Sequence, residues 1–168
     1  MREVMADMVM EESPTYEHQS NGRVERAIQR LQGQYRSLKD GLETRYRMKV
    51  TEDHMCLPWL MRYSAALMNR FEVGSDGRTP YERWKGKTFR RKMAEFGEVV
   101  LYLMPGTVGV NKHACRWDVG VWLGVRDESG EILIGTSKGV IKANVFRRRG
   151  SEAERWDVEV FNLSLIHI

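Results

Sequence analysis

With 168 residues, 42% of them hydrophobic and 30% charged, the chain can bury a core of ordinary domain size. It has no apolar run near twenty residues and no small-residue cleavage site after MREVMADMVMEE, so neither a spanning helix nor a signal peptide is expected. Two cysteines, Cys56 and Cys115, exclude a disulfide framework and point to a reducing compartment.

The net charge of +4 is unevenly spread. Residues 1–19 carry one base and five acids, whereas 23–49 carry eight bases and three acids. Residues 78–92 carry seven bases and one acid, and 138–149 five bases and no acid. Separated basic blocks can form a surface that holds phosphate by long-range attraction and counterion release. They also serve as plain solvated faces, so composition permits nucleic acid without requiring it.

Residues 1–12 read as a short helix with a methionine-rich face of Val4, Met5 and Met8, ended by Pro14. A polar loop follows to Ser20. Asn21 is then expected to cap a long helix whose stripe is Val24, Ile28, Leu31, Tyr35, Leu38 and Leu42, at alternating steps of four and three. Glu25 falls in its first turn, where a carboxylate opposes the positive end of the helix dipole. Gly33 costs that helix about 1 kcal/mol relative to Ala. Gly41 and the run Arg45-Arg47-Lys49 mark its exit. A second helix is expected from Thr51 or Glu52 to Phe71, starting close before Pro58, with the apolar face Leu57, Leu60, Met61, Ala65, Met68 and Phe71. Gly74-Ser75-Asp76-Gly77 turns the chain.

From Phe96 the period becomes two. Val99 to Leu103, Val119–Val125, Glu131–Gly135 and Val140–Val145 are expected strands, separated by glycine-bearing turns, which predicts a small antiparallel barrel. The units His54-x-Cys56 and His113-x-Cys115 together offer four zinc-type ligands. Their spacing matches no common zinc module, and they lie in different predicted domains.

Ser13-Pro14-x-Tyr16 followed by Gln19-Ser20-Asn21-Gly22-Arg23-Val24-Glu25-Arg26 resembles the loop and helix that carry the third catalytic carboxylate of retroviral and LTR-retrotransposon integrases. Asn69-Arg70 and Thr79-Pro80-Tyr81-Glu82, opening a short final helix, continue the resemblance in the same order. Arg116-Trp117-x-x-Gly120-Val121-x-Leu123-Gly124 is similar to a phrase that follows the core in retrotransposon polyproteins. The resemblance implies an α+β chain. Residues 1–93 would be the C-terminal helical part of a ribonuclease-H-like core, 94–149 an SH3-like β-barrel, and 150–168 a tail. The last six residues, Leu-Ser-Leu-Ile-His-Ile, also match a translated sequencing adapter and are expected to be an artefact.

The same resemblance implies phosphoryl transfer on DNA. Glu25 would be catalytic and a ligand for Mg²⁺ or Mn²⁺ in the complete enzyme, where two hard cations activate the nucleophile and stabilise the leaving oxygen. DNA contacts are expected from Gln19, Asn21, Arg23, Arg26, Gln29, Arg30, Gln32 and Arg36, and from Arg147, Arg148 and Arg149. The implied partners are element ends, target DNA and further copies of the protein, in the nucleus. The departure is an absence: only Asp7 precedes Glu25, where the family places two aspartates. The chain alone is therefore expected to be inactive, to bind no metal and to hold DNA without sequence preference. Two alternatives stand beside this: a non-catalytic DNA- or chromatin-binding module, and a helical interaction protein. Against the latter, the stripe Val24–Leu42 spans fewer than three heptads.

Overall fold

The computed structural model describes residues 18–106, 113 and 115–165, with side chains over 22–106, 113 and 115–164. The expected helix of residues 1–12 and the loop to residue 17 lie outside them. Five helices and five strands follow in the order α1 (His18–Tyr46), α2 (Leu57–Phe71), α3 (Pro80–Lys85), β1 (Val99–Leu103), β2 (Trp117–Val125), β3 (Ile132–Thr136), β4 (Gly139–Ala143), β5 (Phe146–Arg148), α4 (Glu152–Arg155) and α5 (Val158–Leu165). The chain is α+β.

Three local rules set the helical half. The 29-residue α1 runs through Asn21-Gly22, so Asn21 is a helical residue and not the expected cap. One glycine costs about 1 kcal/mol, too little to stop so long a helix. α2 starts at Leu57 with Pro58 in its first turn, where a missing N–H leaves no bond unmade. α3 is closed by a reciprocal capping box. Thr79 Oγ1 accepts the Glu82 N–H at 3.1 Å, and Glu82 Oε2 accepts the Thr79 N–H at 2.8 Å. Local capping chemistry thus accounts for the Thr-Pro-Tyr-Glu phrase.

The sheet is antiparallel with strand order β4-β3-β2-β1-β5. Laid flat, β4 and β5 would stand about 19 Å apart across four strand spacings. Only Asn144 and Val145 join them, and the three Cα steps from Ala143 to Phe146 reach at most about 11 Å. The sheet is therefore strongly curled. It is not closed, because β4 and β5 share no ladder, so the expected barrel is an open sheet. The expected strand Val140–Val145 ends at Ala143, and β5 is an edge strand the alternation did not reveal. Two glycines in β2 fit this shape. A Cβ on Gly120 would sit 2.4 Å from Ile134 Cγ2, and Gly124 holds φ 141° at a register shift opposite β3.

One hydrophobic core joins helices and sheet. Leu42 and Tyr46 of α1, Leu60 and Tyr63 of α2, Val99, Val121, Trp122 and Ile134 of the sheet, and Phe161 of α5 belong to the same buried cluster. Tyr46 donates to the Gly97 carbonyl at 2.6 Å and Tyr63 to that of Ala94 at 2.9 Å, tying both long helices to the approach to β1. Position 93/94, the expected domain boundary, is thus no break in the core. Buried Arg70 donates to Asp127 at 2.6 Å and stands over Phe89, clamping α2 to the β2–β3 turn. The buried face of α2 is Leu60, Tyr63, Ser64, Ala66 and Arg70, rotated from the expected stripe so that Met61 and Phe71 are exposed. α2 has to meet the sheet and α1 at once, and those two contacts set its rotation. The expected tail is helical through Leu165. Ser151 and Glu154 cap α4 reciprocally, and Phe161 of α5 is fully buried, 4.3 Å from the Tyr46 ring.

Candidate nucleic-acid interface

α1 divides into an anchored and a free half. Its C-terminal turns enter the core through Leu42 and Tyr46, while residues 23–30 are exposed all round. Val24 and Ile28, the first two positions of the apolar stripe, are 60% and 49% exposed, so that end of the stripe is uncovered among the described residues. Arg23, Arg26, Gln29, Gln32 and Arg36 reach solvent here, with Glu25 the one acid in 22–36. Arg26 folds back on the Gly22 carbonyl at 2.9 Å. Arg30 pairs with Glu72, which joins α1 to the end of α2 and leaves Arg30 less free than its neighbours. Gln19 and Asn21 lie in α1 by their backbone, with side chains outside the described residues.

Glu25 is exposed on the N-terminal half of α1. Among the described residues no three His, Cys, Asp or Glu side chains converge as metal ligands. A pair of hard cations needs several converging oxygens, and the described residues do not bring such a set together. The His-x-Cys units serve locally. His54 Nδ1 accepts the Cys56 N–H at 3.2 Å, and burial pushes the Cys56 thiol up to about 11, away from the thiolate zinc requires. Cys115 is exposed beside β2, and its thiol donates to the Trp117 carbonyl at 3.2 Å.

The basic run of β5 is split three ways. Arg147 lies over the Trp117 ring, its guanidinium carbon 4.6 Å from the centroid, and pairs with no carboxylate among the described residues. Arg148 donates to Glu98 Oε2 at 2.8 Å, and Glu98 is 1% exposed. Arg149 bonds the Glu154 carbonyl at 3.2 Å and pairs with its carboxylate, closing α4. Arg147 is therefore the freest of the three for a ligand, and Arg149 is structural. Glu98 is the residue the sequence reading missed. The signal was there, a lone acid between Phe96 and Val99 in an apolar run.

No family model matches the chain, and neither a curated protein nor a solved structure does. Among the described residues no helix is long and apolar enough to cross a membrane.

Proposed function

We propose that the chain is a nucleic-acid-binding portion of a retrotransposon-type integrase, and that its own contribution is sequence-independent binding of DNA. The observation that carries this is the free half of α1. Residues 22–36 set four arginines against one acid, and residues 23–30 stand clear of the core. Such a face gains affinity from phosphate neutralisation and counterion release. The motif around Asn21–Arg26, which resembles the integrase family, gives the acid on that face its meaning. Glu25 would be one of three carboxylates, and the other two would come from a ribonuclease-H-like sheet N-terminal to the helix. The curled five-stranded sheet, with its last strand returning beside its first, supports reading 94–149 as an SH3-like domain. DNA as substrate carries with it the nucleus and self-association in the complete protein.

The test is equilibrium binding of a random-sequence duplex across a salt series. Wild type should bind with an affinity that falls linearly in log salt and barely changes with sequence. Arg23→Ala/Arg26→Ala should lower the slope by about 2 without lowering the melting temperature. Salt-independent binding, or an unchanged slope in the variant, contradicts the proposal. The exposed stripe end, Val24 and Ile28, favours one second reading, a helix-on-helix partner, which would show as apolar, salt-insensitive association.

A further inference from the structure

Where the link from α3 to β1 runs past the sheet edge, Lys92 and Met93 meet Phe146, Arg147 and Arg148 around a cleft of about 500 Å³. Two segments more than fifty residues apart thus bring three cations to one place. We propose that this cleft is a phosphate site and that it holds a backbone phosphodiester of the bound nucleic acid. The proposal rests on the nucleic-acid reading above and adds a second contact to it, on the sheet and away from α1.

Three observations carry it. First, part of the basic charge of this molecule is already engaged: Arg30, Lys39, Arg45, Lys49, Arg70, Arg83, Arg126 and Arg149 each pair with a carboxylate. Lys92 and Arg147 pair with none among the described residues, so their charge is available. Second, both arginines are held before any ligand arrives. Arg147 is laid over Trp117, and Arg148 is fixed by Glu98 Oε2, which also accepts the Glu95 N–H at 3.1 Å. A guanidinium has five N–H donors. The bond to Glu98 uses one of those on Arg148, whose side chain remains 45% exposed and lines the cleft. Holding the arginines in advance reduces the entropy lost on binding. Third, β5 is an edge strand, so no neighbouring strand covers that side of the cleft. Glu98 is here a positioning residue. It touches Arg148 and not the phosphate.

The test compares three charge-matched double variants for duplex binding at low salt. Lys92→Ala/Arg147→Ala should weaken binding roughly tenfold and reduce the salt slope by about 2. Lys138→Ala/Lys142→Ala, on and beside the opposite edge strand, should weaken it less than twofold. Arg23→Ala/Arg26→Ala reports on α1 alone. Glu98→Gln, keeping the shape, should weaken binding at constant salt slope, as loss of positioning without loss of a contact does. If the Lys92/Arg147 variant falls no further than the Lys138/Lys142 variant, the cleft is not a site, whatever α1 does. Amide shifts on adding inorganic phosphate separate the two readings. Shifts at Lys92, Arg147 and Arg148 in a protein that binds no duplex would keep the anion site and overturn the DNA reading. Absent shifts together with absent binding would overturn both.

Discussion

Glu43 gives the protein a pH dependence that one side chain can report. It accepts from Lys49 Nζ at 2.8 Å and from the Val50 N–H at 3.0 Å, closing the turn after α1. The ammonium of Lys49 first, and then that backbone N–H, hold its carboxyl at about 2, below its ordinary 4.5. A lowered folded value means that the carboxylate stabilises the fold above the unfolded value and loses that effect as pH falls through the folded one. Wild type should therefore melt above Glu43→Gln near pH 6, with the gap closing between about pH 4.5 and pH 2. A gap that is constant with pH contradicts the assignment. Arg148 and Arg149 teach the complementary lesson. Three adjacent arginines look equivalent as a charge run, yet one holds a buried acid, one closes a helix and one is left over. Partners as distant as Glu98 are invisible to local pattern.

At the scale of elements, the legible ones announced themselves by local chemistry. Pro58 marked the start of α2, Thr79 and Glu82 formed the cap of α3, and alternation with glycine turns gave four strands to within about two residues at most of their ends. What stayed hidden depended on tertiary neighbours. The rotation of α2, the shortness of β5 and the failure of the sheet to close are settled by what each element meets. The C-terminal helices are a different case, because 150–168 was expected to be a tail, whereas Ser151 and Glu154 cap α4 and Phe161 of α5 is buried just beyond it. Phe161 packs on Tyr46 and stacks on His54, whereas Leu163, two residues on, is 57% exposed. Phe161→Ala should cost about 3–5 kcal/mol and Leu163→Ala less than about 0.5 kcal/mol in denaturant unfolding. Equal costs would mean that α5 does not dock through Phe161.

For the molecule as a whole, α1 is anchored in the core at its C-terminal end and exposed at its N-terminal one. Tyr46 and Leu42 fix the helix to the sheet, which lets residues 22–32 stand out as a basic arm without destabilising the fold. The candidate site was partly legible for the same reason. The run from Asn21 to Arg26 is local and quotable, whereas the cleft at Lys92 is built from segments remote in sequence. Unpartnered helix turns open readily, and a ligand that bridges their side chains slows their amide exchange. The most direct measurement is hydrogen exchange with and without a short duplex of random sequence at low salt. Slowed exchange at residues 22–32, reversed by raising the salt, is the predicted result, with the β3–β4 turn at Ser137-Lys138 unaffected. Binding with unchanged exchange over 22–32, or with slowing only at the β3–β4 turn, would contradict the claim that this arm is the nucleic-acid interface.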